Sequence, residues 1–482
     1  MKRRDFLKVA GTGMAALTAG PIRLQAGPDG TSKPNVLFIA IDDLNDWIGC
    51  LGGHPDVKTP NLDALAARGV LFTSAYCAAP ACNPSRAALM TGIRPATSGV
   101  YHNSQPWRKS AILKDVVTIP QHFMAHGYSA TGAGKIYHDA FLDPPSWMDY
   151  WPSQTKSRPD DPTPPEDKLP LNGIPDAAHF DWGPVDVSPF EMGDWQVADR
   201  TIEHLRKKHD TPFFRACGFF RPHLPWYVPP KYFEQYPLDG ITLPIVKDDD
   251  LDDVPPIGKS MAKPEKDHAN VIKYDQWRKA VQAYLASISF MDECVGRVIQ
   301  ALDESAYRDN TIIVLWSDHG WHLGEKLHWR KFALWEEATH NVLMVIAPGV
   351  TSAGGRCDAP VNLLDIYPTL IDLCNLDKKP ELEGVSLLPL LKNPYTPWDR
   401  PALTTHGRNN HSVRSARWRY IQYSDKTEEL YDHSKDTLEW TNLAGDPQYT
   451  AIKADLQKWL PSTNAEDVPS EPKKPKGTAG AE

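Results

Sequence analysis

Residues 35–41, Asn-Val-Leu-Phe-Ile-Ala-Ile, form an unbroken apolar run of strand length that stops at Asp42-Asp43. A run without polar alternation is the pattern of a strand covered on both faces. Thr59-Pro60 then supplies a cap and a first-turn proline, and Gly69 closes the helix they open. Strand-length and helix-length segments alternate from there. Helix 120–126 precedes strand 128–132, helix 194–208 precedes strand 212–220, the amphipathic stretch 277–302 precedes strand 311–316, and strand 343–347 precedes helix 363–376. Such alternation predicts an α/β fold with a mostly parallel central sheet sandwiched by helices.

Two stretches, 140–193 and 228–268, break the pattern. They are rich in Pro, Asp and aromatic residues with little periodicity, and read as long surface excursions of the kind that carry substrate contacts. From about 396 the pattern shifts to short strand-like runs such as Trp418–Tyr423, which predicts a smaller C-terminal subdomain with an antiparallel sheet over 396–461. The large domain is then 33–395, and the Pro-, Lys-, Glu- and Gly-rich tail 462–482 is expected to be disordered. At the other end, Lys2-Arg3-Arg4-Asp5-Phe6-Leu7-Lys8 precedes a short run of small and apolar residues, Val9 to Gly20. This is similar to a twin-arginine signal over 1–26, handled by the twin-arginine export machinery and leading to a periplasmic or secreted protein. A basic tail without a targeting role is the bland alternative. No segment reads as a membrane span.

Composition narrows the chemistry. A net charge of -9 excludes the basic surplus of a nucleic-acid binder, while leaving room for a locally basic pocket that takes an anion. Seven cysteines, at 50, 77, 82, 217, 294, 357 and 374, are too few and too scattered for a disulfide scaffold and contain no CxxC pair. An odd number in an exported chain directs attention to individual cysteines.

Asp42-Asp43 and Asp318-His319 each end a buried strand, the position where open α/β sheets place their ligands. Together they suit a metal with oxygen donors, calcium or magnesium; singly, each pair reads equally well as a turn or a helix cap. Cys82-Asn83-Pro84-Ser85-Arg86 opens an apolar helix that ends at Gly92. Its N-terminus favours an anion near Cys82, and Arg86 lies one turn on. A small buried cysteine that only packs is the ordinary alternative. On residue type alone, Lys135 and Lys331 read as solvated lysines and His223 as a turn residue between prolines.

The run Cys82 to Arg86 followed by Ala87-Ala88-Leu89-Met90-Thr91-Gly92 resembles the motif of the type I sulfatases, in the alkaline phosphatase superfamily. Asn35 to Asp43, Gly134-Lys135-Ile136-Tyr137-His138, Arg221-Pro222-His223-Leu224-Pro225, and Ser317-Asp318-His319-Gly320-Trp321 through Lys331 agree in order and spacing. They resemble the iduronate-2-sulfatase branch in particular, over about residues 34–376. The resemblance implies a sulfuric ester hydrolase acting on a sulfated carbohydrate. It implies conversion of Cys82 to 3-oxoalanine (formylglycine) by a formylglycine-generating maturation enzyme. It also implies one Ca2+ on Asp42, Asp43, Asp318 and His319, with residue 82 completing the site. Many sulfatases carry Asn where this chain has His319, and the iduronate-2-sulfatase branch shares the His.

The chemistry the family implies passes through a formylglycine gem-diol and a covalent sulfo-enzyme hemiacetal. Arg86, Lys135 and Lys331 would hold sulfate oxygens, His223 with Lys331 would protonate the leaving oxygen, and His138 would take the proton that lets sulfate depart. The expected substrate is a chain-terminal 2-O-sulfated uronate or related polysaccharide unit, attacked in an exo fashion, with Arg408 and Arg414 as candidates for its carboxylate. His322 and Trp321 are near enough in sequence to line the pocket. Two rivals stand beside this reading: a phosphonate or phosphate ester hydrolase of the same superfamily, and a non-catalytic calcium-dependent carbohydrate-binding protein.

Overall fold

The computed structural model describes residues 33–471; the segment read as an export signal, 1–26, lies outside them, as do residues 472–482. In chain order the strands are β1 (Asn35–Ile41), β2 (Val70–Tyr76), β3 (Ser129–Gly134), β4 (Asp149–Trp151), β5 (Trp182–Pro184), β6 (Phe213–Phe219), β7 (Trp226–Val228), β8 (Thr311–Ser317), β9 (His322–Leu323), β10 (Trp329–Arg330), β11 (His340–Ile346), β12 (Gly355–Cys357), β13 (Val361–Asn362), β14 (Ala402–Thr405), β15 (His411–Arg414), β16 (Trp418–Gln422) and β17 (Glu428–Asp432).

All seven residues of β1 are buried, Leu37, Ile39 and Ile41 in one apolar core and Val36, Phe38 and Ala40 in another. Two covered faces explain the missing alternation. The first core is closed by helices Gly193–Arg206 and Trp277–Asp303, the second by helices Cys82–Thr91, Ile119–Ala125 and Ile366–Leu373. The central sheet runs β12-β2-β11-β8-β1-β6-β3-β4, with β13 also paired to β2. β8, β1, β6, β3 and β4 are mutually parallel, and β11 alone runs against its neighbours β8 and β2.

This topology positions the site. Ile41 pairs with Ser317 in the β1–β8 register, so Asp42-Asp43 and Asp318-His319 leave adjacent strands at the same edge. Lys135 follows β3 and Arg221 to His223 follow β6 at that edge too. These are the carboxyl ends of parallel strands, the place where α/β sheets gather their chemistry.

Strands β14 to β17 form a separate antiparallel sheet in simple sequential order. One of its faces packs Leu403, Val413, Tyr420 and Leu430 with Leu456 of helix Thr450–Gln457. Ile421, Tyr423 and Tyr431 pack instead with Ala333, Leu334 and Trp335. The tail departs from the expected disorder as far as residue 471. Ala465 N donates to Ala96 O, Val468 N to Gly99 O and Glu471 N to Ser104 O, and Val468 is buried. Backbone pairing to residues 96–104 holds what its composition alone would leave loose. All seven cysteines are free thiols. Among the described residues, no helix is long and apolar enough to cross a membrane.

Candidate active site

Helix Cys82–Thr91 is buried along all ten residues. It ends at Gly92, whose φ of 73° suits glycine and where a Cβ would meet Leu382 Cδ2 at 2.4 Å. Its first residue is the centre of the site. Cys82 Sγ lies 2.9 Å from Lys331 Nζ, 3.4 Å from His319 Nε2, 3.5 Å from Asp42 Oδ1 and 3.8 Å from Asp43 Oδ1. Asp42, Asp43, Cys82 and His319 thus place four potential ligand atoms within 4.8 Å of one another, all buried. Asp318 stands beside this group. Its Oδ2 accepts from Arg86 Nε at 2.8 Å and lies 3.5 Å from His319 Nε2, and its Oδ1 accepts from Asp43 N at 3.1 Å.

Arg86 is a brace more than a free hand. It donates to Asp318 Oδ2, Asp42 Oδ1, Lys135 O and Ile136 O, which engages four of the five guanidinium N–H groups. Lys331 Nζ donates to Asp43 Oδ1 at 2.9 Å, and Lys135 Nζ pairs with Asp42 Oδ2 at 2.5 Å. Burial alone would raise the Asp42 carboxyl, but Lys135, Arg86, His223 and Lys331 outweigh it and hold the group well below the usual carboxylate range. Among the described residues, nothing donates a hydrogen bond to the buried Asp43 Oδ2, and His223 Nε2 lies 3.8 Å from it.

Two histidine tautomers follow from their partners. A carbonyl only accepts, so His319 Nδ1 donates to Gly320 O at 2.9 Å and turns Nε2 toward the carboxylates. His223 Nδ1 likewise donates to Leu224 O at 2.5 Å, leaving Nε2 on the side of Asp43.

Next to this cluster is a cavity of ≈ 570 Å³ whose walls include Lys135, His138, His223, Arg158, Phe220 and Tyr227. His138 stands on this wall, outside the four-atom group. The first excursion contributes residues 155–163 and His179 to the cavity. The second excursion, 228–268, contributes none, and its contacts buttress the Lys331 segment instead: Asp250 pairs with Lys326 and Asp267 with Arg330.

Arg408 and Arg414 do not meet the expectation of a carboxylate clamp. Arg408 is tied to Glu466 and Asn464 O, and Arg414 to Glu336 and His433, and neither lines the cavity. Both side chains are drawn into local ion pairs at the C-terminal sheet. Trp321 packs in the first core with its ring 5.6 Å from Lys331 Nζ, and His322 is buried against His328, away from the cavity wall.

Two contributors carried no usable sequence signal. Tyr284 lies in helix Trp277–Asp303, and its hydroxyl accepts from Asn45 N and donates to Asp43 O, fixing the turn in which Asp43 adopts a φ of 57°. Arg158 comes from the first excursion, lies 3.6 Å from the Phe220 ring centroid and pairs with Asp139, next in sequence to His138. Burial would raise Asp139, but Lys135, Arg158, Ser157 and His138 together hold it below its usual range.

The fold and the buried carboxylate–histidine–cysteine cluster define an α/β protein with a candidate metal site at the carboxyl edge of its sheet. The sulfatase family model matches residues 34–376, and a second model, that of the N-sulphoglucosamine sulphohydrolase C-terminal region, matches 324–466. The chain belongs to the sulfatase family. It is 40% identical to a protein named sulfatase from Formosa agariphila, covering 96% of this chain and 93% of that one. It is 30% identical to iduronate 2-sulfatase from Homo sapiens, over 85% and 84% of the two chains. Among solved structures, the phosphonate monoester hydrolase of Agrobacterium radiobacter is similar with a TM-score of 0.71 at 25% identity, covering 88% of this chain and 94% of that one.

Proposed function

We propose that this sulfatase removes sulfate from the terminal unit of a sulfated saccharide, with Cys82 matured to formylglycine and one calcium ion beside it. The observation that carries the reading is the placement of Cys82 Sγ among Lys331, His319, Asp42 and Asp43 in a buried cluster, with Lys135 and His223 at its border lining the adjacent cavity. The residues fit both groups. Asp43 Oδ2 is buried without a hydrogen-bond donor among the described residues, and His319 directs Nε2 at carboxylates, an arrangement that suits a shared cation. A thiolate is too soft for calcium, whereas the oxygen of an oxidised residue 82 would add a hard donor to the carboxylates of Asp42, Asp43 and Asp318, with His319 Nε2 as the one borderline nitrogen ligand.

Formylglycine supplies, as its hydrate, one hydroxyl to take the sulfuryl group and a second through which that group is expelled. Calcium supplies positive charge against the carboxylates and the sulfate. The chain's own residues do the rest. Arg86 locks Asp42 and Asp318 in orientation. The ammonium groups of Lys135 and Lys331 hold sulfate oxygens. His223, with Nδ1 donating to Leu224 O, presents Nε2 to the leaving oxygen and would protonate it from the imidazolium form, in which both ring nitrogens carry a proton. His138, on the cavity wall beside Lys135, accepts the proton that accompanies sulfate release.

The wall built by 155–163 favours a chain end over a chain interior, which supports an exo mode, and the likeness to iduronate 2-sulfatase supports an acidic unit such as a 2-O-sulfated uronate. A formylglycine-generating enzyme and the twin-arginine exporter are the partners this reading requires. The test is turnover of defined sulfated oligosaccharides by protein co-expressed with the maturation enzyme, followed by product analysis; equal release from internal and terminal residues would exclude the exo mode. The likeness to a phosphonate monoester hydrolase keeps a second reading in view. Faster hydrolysis of an aryl phosphonate monoester than of the matching aryl sulfate would favour it.

A further inference from the structure

Lys331 reaches Cys82 from an unusual piece of backbone. Between Lys326 and Phe332, four non-glycine residues have positive φ: Lys326 at 56°, Leu327 at 50°, Arg330 at 73° and Phe332 at 74°. Left-handed conformations of this kind persist only where the surroundings over-determine them. Here the surroundings come from far along the chain. Lys326 is buried and donates to Asp250 Oδ1 at 2.7 Å and to Glu439 O. Arg419 Nη1 donates to Leu334 O at 3.1 Å, Trp335 Nε1 to Glu429 Oε2 at 2.8 Å, and Glu336 N to Glu439 Oε2 at 3.0 Å. Lys331 therefore sits between two anchor points, residues 326 and 334–336, both held by the C-terminal sheet or the loop that follows it.

The hub of that anchorage is ionic. Arg419 is fully buried and pairs with both Glu439 and Glu336, while His433 Nε2 lies 2.8 Å from Glu439 Oε1. Burial would raise the Glu439 carboxyl, but Arg419 and His433 outweigh it and hold the group below its usual range. Glu336, His433 and Glu439 have the spacing of a metal-ligating trio, but Arg414 and Arg419 already supply the cations. A buried ion pair adds little net stability once desolvation is counted, and its attested use is to select one arrangement over others.

We infer that the Arg419–Glu439 pair is a positioning device for Lys331, so that the C-terminal sheet takes part in the reaction through the segment 326–336. The inference rests on the role proposed above for Lys331. The test uses full-length protein with Cys82 matured. Glu439→Gln keeps the volume and an acceptor for Glu336 N while removing the charge; Arg419→Lys serves as the second variant should the first not fold.

Each variant is expected to lower kcat/KM on an aryl sulfate by about 10- to 100-fold, the scale of a misplaced reacting group. Combined with Lys331→Ala, neither is expected to cause further loss, because a residue acting through Lys331 has nothing left to position. Acylation of Lys331 by acetic anhydride, followed by peptide mass spectrometry, is expected to be faster in the variants. Unchanged kcat/KM in the folded variant, losses that multiply with that of Lys331→Ala, or an unchanged acylation rate would each overturn the inference. Full turnover in Lys331→Ala alone would instead remove the proposed role of Lys331, and is read without either variant.

Discussion

Lys331 Nζ lies 2.9 Å from Cys82 Sγ although 249 residues separate them in sequence. The contact joins a segment rich in left-handed residues to the first turn of a buried helix, and both groups also lie close to Asp43 Oδ1, Lys331 Nζ at 2.9 Å and Cys82 Sγ at 3.8 Å.

On the proposed mechanism, maturation at this position should control turnover. Protein co-expressed with a formylglycine-generating enzyme should show an aldehyde at residue 82 by peptide mass spectrometry and hydrazide capture. Cys82→Ser should keep the fold and lose at least about 10⁴-fold in kcat, because serine has no second hydroxyl to expel the sulfate. Full activity with an unmodified thiol would contradict the chemistry.

Metal removal should strip both activity and stability. A bound ion at about a hundred times its Kd stabilises the native state by about 2.7 kcal/mol, so chelation should lower the thermal midpoint, and calcium should restore it. Asp43→Ala should abolish both the metal content and the calcium-dependent shift. An identical midpoint with and without chelator would argue against a resident ion.

His223 is expected to matter in proportion to the leaving group. His223→Ala should slow a sugar sulfate by about 10²–10⁴-fold and an activated aryl sulfate far less, since a phenolate leaves without protonation. Equal losses on the two substrates would take His223 out of the acid role.

Acid should destabilise the protein through buried neutral histidines. Burial is the largest cause pushing His411 down to about 4 and His406 down to about 3, from ordinary values of 6.5. As pH falls through that ordinary value, the unfolded chain takes up protons that the native state refuses. Stability should therefore fall, by up to about 1.4 kcal/mol per pH unit for each histidine, until the native values are reached. Between about pH 7.5 and about pH 5 the stability lost by the wild type relative to His411→Gln should grow as pH falls, read from urea midpoints; an unchanged difference across that range would refute this.

Substrate recognition should follow the cavity wall and not the arginines of the C-terminal sheet. Arg408→Ala should leave kcat/KM on a sulfated uronate unchanged and stability within about 0.5 kcal/mol, since its partners lie away from the cavity. Arg158→Ala should raise KM, because its guanidinium forms part of that wall and braces Asp139. The reverse pattern in parallel Michaelis–Menten assays would restore Arg408 to the site.

The sequence by itself determined the layered architecture and pointed to the residue types that meet at the candidate site. A strand buried on both faces must be apolar throughout, so β1 was visible as an uninterrupted run, and its end at Asp42-Asp43 marked the sheet edge. The Cys82 to Arg86 motif is local, because one helix turn carries the whole signal. Tertiary structure decided what depends on distant segments meeting. The strand at His340–Ile346 runs antiparallel inside an otherwise parallel sheet, a direction that apolar composition does not encode. Tyr284 reaches Asp43 from the long helix, where hydrophobic periodicity marks it only as a core residue. Arg408 and Arg414 suit a carboxylate by charge and shape, but nearby acids claim them, and only the folded chain shows which acid each one meets. Side-chain type limits what a residue is able to do, whereas its partners, set by packing across hundreds of residues, determine what it does.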